Sequence, residues 1–282
     1  MNFLFPFVAA ILQGGSFAID KVVLSVRRVS YETYTGISFP LVFIFTLVIY
    51  FIFKPPFSFS LFAGNSWWMI LVFVFLTIGT NLFFYRALDS DNLGEIQLIS
   101  LLSNFPLILF SAIAFRDERH LVTIVASLLA SAVIVWSHWE NHHFKMLKST
   151  LILLLWTMCI GPLRGIISKE LLTVWNPISF RLVTEGAVAL ILGPLFFRYY
   201  EKTYARAIVL LLATNILTSV AWILYYFSYQ ASGIVYTVLL FSLQPFLVYF
   251  ASIMFLREKL GWRKFIAFIV VLTSIGITQV MG

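Results

Sequence analysis

The chain has 282 residues, 61% of them hydrophobic and 11% charged, and so few charged side chains cannot coat a soluble globule, which leaves an integral membrane protein. Its net charge of +7 is scattered over short loops, where membrane proteins keep their anchoring cations, and this argues against a nucleic-acid surface. The single Cys159 excludes an internal disulfide and any site built from several thiolates.

Apolar runs of roughly twenty residues recur, the length of a bilayer-crossing helix, whereas barrel strands would alternate apolar and polar over about ten. Ten spans are predicted: Phe3 to Val23, Tyr34 to Phe53, Trp67 to Leu88, Leu93 to Phe115, Leu121 to Trp139, Leu151 to Leu172, Pro177 to Phe197, Ala205 to Tyr229, Ile234 to Leu256 and Trp262 to Met281. The first follows no basic region and runs past signal-peptide length, so it reads as a span and not a cleaved leader. The loop Lys54 to Ser66, with Pro55, Pro56 and Gly64, is the longest break in the first half, and Glu140 to Lys148 separates the halves.

An internal repeat organises these spans. LLFSLQPFLVYFASIMFLREKL, Leu239 to Leu260, echoes LLSNFPLILFSAIAFRDERHL, Leu101 to Leu121. Each copy carries a proline behind a polar amide (Asn104 before Pro106, Gln244 before Pro245) and stops at a charged turn containing an acid. The first spans of the two halves share a late basic residue beside an acid, Asp20-Lys21 and Lys169-Glu170. Five spans per half is an odd number, so the second copy enters the membrane from the opposite side. The expected fold is therefore an all-α membrane protein of ten transmembrane helices, two inverted five-helix repeats over residues 1–140 and 147–282, with a substrate site near the midplane between them.

This arrangement resembles the drug/metabolite transporter superfamily, specifically its EamA-type ten-span members. The residues that carry the resemblance are Lys21 and Lys169, Pro106 and Pro245, and the turns Arg116-Asp117-Glu118-Arg119 and Arg257-Glu258-Lys259-Leu260-Gly261. The resemblance implies a secondary transporter or exporter of small metabolites with a cavity lined by spans one, three, four, six, eight and nine, and it implies no particular substrate. Asp117 and Arg257 stand where the generic turn has glycine. A multi-pass protein of the cell (inner) membrane is expected, monomeric or homodimeric, with a small-molecule substrate and the lipid bilayer as partners. Its sidedness stays open: the loops after spans one, five, seven and nine hold most of the loop lysines and arginines, which puts both termini outside, while relatives are usually drawn with termini in the cytoplasm.

No phosphate-cradling glycine loop, zincin helix or nucleophile elbow occurs, so neither an enzyme nor a cofactor is expected. His138, His142, His143 and Glu140 have the spacing of a metal site, yet they lie in the connector between the halves and read as wet loop side chains, so no metal is expected. The strongest functional lead is Arg164, about 12 Å inside the end of span six at 1.5 Å per residue. An arginine at such depth costs roughly 2.5 to 3.5 kcal/mol, so it should face a cavity or a partner. The surrounding Gly161-Pro162-Leu163-Arg164-Gly165 is expected to interrupt the helix and free carbonyls. Glu185 falls at a similar depth in span seven and fits either Arg164 or Arg181, one turn away on its own face. Such a pair serves either to neutralise buried charge alone or to bind as well.

In the first half, Arg86 and Glu95 bracket a turn holding Asp89 and Asp91; these read as interfacial side chains, as does Lys21, unless Lys21 and Lys169 gate or cap. Gln97, Ser100 and Asn104 form one polar stripe on span four, and Gln13, Ser16, Asn81, Asn215, Ser219 and Gln244 fall on other cavity spans; interhelical hydrogen bonding explains such stripes equally well. Trp222, Tyr225, Tyr226 and Tyr229 on span eight are positioned to hold a flat or cationic group, or simply to pack. The expected substrate site is thus Arg164, Glu185, Gln97, Asn104, Trp222, Tyr226 and Gln244, with Lys21, Lys169, Arg86, Pro106 and Pro245 in gating or structural roles. The expected activity is alternating-access transport of a small polar metabolite, an amino acid or related compound. The alternatives are efflux of cationic lipophiles, or a membrane scaffold subunit whose polar residues only join helices.

Overall fold

A computed structural model describes residues 3–26, 29–91, 96, 102–138, 147–199, 205–248 and 262–281, and among these the regular structure is entirely helical. The helices are α1 (Leu4–Leu24), α2 (Tyr31–Phe53), α3 (Ser66–Ser90), α4 (Asn104–Ala114), α5 (Leu121–His138), α6 (Lys148–Leu172), α7 (Pro177–Leu192), α8 (Pro194–Tyr199), α9 (Ala205–Ser232), α10 (Ile234–Phe241) and α11 (Trp262–Met281). Six stretches are long and apolar enough to cross a membrane alone: α1, α2, α3, α6, the α7–α8 pair and α9; the remaining apolar helices are shorter among the described residues. Large apolar side chains such as Phe51, Phe53, Phe75, Ile113, Leu190 and Phe197 lie exposed on the periphery. That outward oil is what a bilayer solvates, and the chain is a multi-pass membrane protein.

Local chemistry sets the helix ends. The Ser30 side chain accepts from the Thr33 amide at 3.3 Å to start α2, and Lys54, in the left-handed region at φ 46°, ends it. Asn176 accepts from the Ile178 amide at 2.9 Å ahead of Pro177 at the first helical position of α7. The loop beyond α2 folds back over the bundle, seating Phe62 and Phe57 on the fully buried Trp175 with ring centroids at 5.0 and 6.2 Å.

The helix breaks differ from the sequence expectation at four places. α6 runs unbroken through Pro162, although an interruption was expected there: one missing N–H costs one ladder bond, and the other bonds of the 25-residue helix hold it together. Gly165 instead permits close packing, since a Cβ there would sit 2.5 Å from Leu107 Cδ1 of α4. The discontinuities fall on the two proline-bearing spans. α4 starts behind a turn at Ser103, and α10 stops at a turn over Ser242 and Leu243 before helix resumes at Gln244-Pro245. The predicted seventh span also breaks, at Gly193, where Pro194 cannot continue the hydrogen-bond ladder.

The helices pair in a regular way. α1 lies along α9 and α3 along α6, α2 packs on α7, and α5 packs on α11, while α4 leans on α6. A main apolar cluster spans most of the helices, and a second, around Leu239, Leu243, Phe246 and Val271, joins α5, α10 and α11. Ala126 and Ala130 are buried in that second cluster, so their small side chains serve a seam within the chain.

Candidate functional site

A cavity of about 220 Å³ lies between the helices. Polar side chains line it from α1 (Gln13), α2 (Ser38), α3 (Thr77, Thr80, Asn81), α6 (Arg164, Ser168), α7 (Arg181, Glu185) and α9 (Asn215, Thr218), with Asn104 and Gln244 from the broken proline-bearing spans. Trp222, Tyr225, Tyr226 and Tyr229 of α9 supply an aromatic wall. The family resemblance implied no lining from spans two and seven; here α2 and α7 both contribute, and α7 brings two of the charges.

The charges are unevenly paired. Arg181 Nη1 donates to Glu185 Oε1, one turn apart on α7, with both side chains almost fully buried. The alternative Arg164–Glu185 pair is not formed, and among the described residues no carboxylate lies within ion-pair distance of Arg164. The two guanidinium groups share Trp222 instead, with Cζ atoms 5.9 Å (Arg164) and 5.7 Å (Arg181) from its ring centroid. Trp222 stands edge-on to Tyr225 at 5.1 Å, and the Tyr225 and Tyr229 hydroxyls are joined at 2.8 Å. Among the described residues two buried amide atoms have no hydrogen-bond partner, the acceptor Gln13 Oε1 and the donor Gln244 Nε2, and both residues line the cavity. Unmet buried polar atoms are costly unless a ligand or water meets them. Among the described residues the cavity therefore offers one cation without an ion-pair partner, unmet donors at Gln244 Nε2 and Arg181 Nε, unmet acceptors at Gln13 Oε1 and Glu185 Oε2, and a flat aromatic face.

Of the residues singled out in the sequence, Arg164, Glu185, Asn104, Trp222, Tyr226, Gln244 and Pro245 are brought together at this cavity. Gln97, Ser100, Glu95, Glu140, His142, His143 and the turn 257–261 lie outside the described residues. Pro106, Arg86, Lys21 and Lys169 do not line the cavity, Arg86 being exposed near the end of α3. Lys21 does not reach toward headgroups: its Nζ donates to the Leu88 and Asp91 carbonyls, both at 2.7 Å, closing the C-terminus of α3. Asp91 is buried rather than interfacial, accepting from the Leu147 amide at 3.1 Å and from Thr150 Oγ1 at 2.6 Å at the start of α6. Lys169, its ammonium 4.6 Å from the Phe115 ring centroid, pairs with Asp117 at 2.6 Å and with Glu118. Burial works to raise the Asp117 carboxyl, but the hydrogen bond and charge of Lys169 outweigh it and hold that group below the usual carboxylate range. The buried Glu118 also accepts from the Ile234 and Val235 amides at 2.5 and 3.0 Å, so one carboxylate ties α6 to the N-terminus of α10.

Sequence reasoning gave no role to Tyr34, Thr214 or Thr218, and used Asp20 only as the acid beside Lys21. Asp20 is fully buried and receives Tyr34 Oη at 2.6 Å and the Thr214 hydroxyl. An acid inside an apolar span was signal enough, and Thr214 and Thr218 share the four-residue spacing of their neighbours Asn215 and Ser219.

Fold and site together define a polytopic helical membrane protein with a polar, partly charged cavity inside the bundle. Residues 147–279, a little under half of the chain, match the EamA-like transporter family. That match suggests a membrane transporter of the drug/metabolite type, which fits the expectation that the chain is not an enzyme. No curated protein matches it. A crystal structure of a protein 14% identical to it aligns with a TM-score of 0.78, covering 99% of this chain and 96% of the other, a likeness of fold alone.

Proposed function

We propose that the chain is a secondary carrier that moves a small carboxylate-bearing metabolite, an amino acid or close relative, across the cell membrane by alternating access. In this scheme two inverted five-helix units, residues 1–140 and 147–282, make ten spans in all. The helix pairing supports the scheme, because exchanging the units turns α1 against α9 into α6 against α3, and leaves α2 against α7 and α5 against α11 unchanged. The turns at Ser103 and at Ser242–Leu243, each just before a proline and beside the cavity, are the natural flexing points of such a carrier.

The observation that carries the substrate class is Arg164, without an ion-pair partner among the described residues, in a polar cavity whose other arginine is already neutralised. Arg164 meets a carboxylate, assisted by Gln244 Nε2; Gln13 Oε1 accepts from an ammonium; Trp222 and Tyr226 keep water off the bound molecule. Asn104 belongs to the same site, and Glu185 holds Arg181 in place. The test is a thermal-shift screen of the purified protein against amino acids, repeated with Arg164→Ala. A bound ligand stabilises the folded state according to its occupancy, so a shift of several degrees in the native protein should vanish in the variant. The α9 aromatic wall supports efflux of organic cations as a second reading, which takes the lead if only quaternary amines raise the melting point and Arg164→Ala leaves that shift intact.

A further inference from the structure

The carrier reading leaves one buried acid without a task. Asp20 of α1 is fully buried, and among the described residues no lysine or arginine lies within ion-pair distance of it. The neighbouring Lys21 is turned away to the end of α3. Among the described residues Asp20 is held by hydroxyls alone: Tyr34 Oη of α2 and Thr214 Oγ1 of α9 both donate to Oδ1, while Oδ2 has no partner. An anion without a counter-charge inside an apolar bundle is expensive, and a carboxylate escapes that cost most simply by taking up a proton.

A route for that proton is present. Thr218, which lines the cavity, lies 2.6 Å from Ser16 Oγ, and Ser16 Oγ lies 2.8 Å from Thr214 Oγ1, the hydroxyl that donates to Asp20. Each link is a hydroxyl, able to give one proton and accept another. We propose that Asp20 is the proton-binding site that couples this carrier to a pH gradient, loaded from the cavity through the hydroxyls of Thr218, Ser16 and Thr214. A hydronium in the cavity protonates Thr218 Oγ1, whose own proton passes to Ser16 Oγ; that of Ser16 passes to Thr214 Oγ1, and that of Thr214 to Asp20 Oδ1. One proton enters, one carboxylate becomes a carboxylic acid, and each hydroxyl finishes with the hydrogen count it began with.

The surroundings couple this event to the helices. The neutral acid no longer attracts the Thr214 hydroxyl as an anion does, so loading weakens the seam between α1 and α9, which also carry Gln13 and Trp222 of the substrate site. The titratable groups facing Asp20 are Tyr34 from α2 and, its ring tilted against that of Tyr34 at 4.7 Å, Tyr85 from α3. α9 presents a threonine there, and α10, which also packs on α1, has no charged side chain and keeps its Tyr236 in the second apolar cluster.

This inference rests on the carrier reading, but its first test needs no substrate. Infrared difference spectroscopy of the purified full chain across a pH series should show a protonated-carboxyl band that disappears in Asp20→Asn and persists in Glu185→Gln. Tyr34→Phe, which only removes a donor to the anion, should move the midpoint of that band to higher pH. Ser16→Ala should slow proton loading after a pH jump at least tenfold. A band unaffected by Asp20→Asn overturns the site, and a Ser16→Ala variant that loads at the native rate overturns the path. In proteoliposomes given a labelled amino-acid mixture, uptake should follow an imposed pH gradient in the native protein and become independent of it in Asp20→Asn. Uptake by the native protein that ignores the gradient, or that requires sodium instead, overturns the coupling role. Absence of any uptake counts against the substrate class proposed above, while the infrared result still decides whether Asp20 takes the proton.

Discussion

The carboxylate of Glu185 and the guanidinium of Arg181 are both nearly inaccessible, and each is acceptable there only because of the other. Removing one partner of such a pair costs about 3–5 kcal/mol, whereas replacing both by apolar side chains of similar volume is often neutral. Glu185→Leu alone should therefore lower the melting temperature more than the double variant Arg181→Met/Glu185→Leu, as scanning calorimetry or a fluorescence melt in detergent will measure; additive losses would mean that the two groups are not coupled. At this scale the sequence was partly legible. Arg164 and Glu185 stand out because charges inside apolar spans are rare, but depth alone matched Glu185 to either arginine, and the one-turn spacing on α7 decided it. Asp20 was hidden by its neighbour Lys21. Consecutive residues on a helix point about 100° apart, so the apparent pair faces different helices, Asp20 toward α2 and α9 and Lys21 toward the end of α3.

Hydropathy places the helices well, because twenty apolar residues leave little choice of conformation in a membrane, but it says nothing of where a helix breaks. Pro162 looked like a break and is not one, while the interruptions fall before Pro106 and Pro245. The start of α10 is set by a contact between distant parts of the chain. Gly233 sits at φ +84°, ψ 174°, and a Cβ there would lie 2.6 Å from Glu118 Oε1. That backbone region is essentially reserved for glycine and costs other residues on the order of 1–3 kcal/mol. Gly233→Ala should thus destabilise the protein by at least that amount in a thermal melt, and should also push Glu118 off the α10 amides. Glu118→Gln, which keeps an acceptor for those amides but gives up the ion pair to Lys169, should be the milder change. A comparable constraint binds α2 to α8, because a Cβ on Gly36 would collide with the backbone amide of Phe196. Gly36→Val should force those two helices apart, lowering the melting temperature without altering a ligand shift that depends on Arg164.

In the doubled-unit scheme α1 and α6 are counterparts that run in opposite senses, so the ends bearing Lys21 and Lys169 emerge at opposite faces of the membrane. Each lysine fastens its helix end to other elements: Lys21 to the close of α3, Lys169 to the turn at Asp117-Glu118 and through Glu118 to the start of α10. A carrier that exposes its cavity to one face at a time needs such fastenings at both ends, each released as the other forms, and what biases the two states is the difference in fastening energy between them. Lys169→Met should loosen one end and Lys21→Met the other. The readout is a cysteine placed at Asn104 of the cavity in a Cys159→Ser background, labelled with a membrane-impermeant maleimide from each side of oriented vesicles. Lys169→Met should speed labelling from its own face roughly tenfold and slow it from the other, with Lys21→Met doing the reverse. If both substitutions speed labelling from the same face, the two helix ends are not opposed and the inverted arrangement fails. If neither changes the labelling, the lysines only secure helix ends, and the gating must be sought at the turns before Pro106 and Pro245.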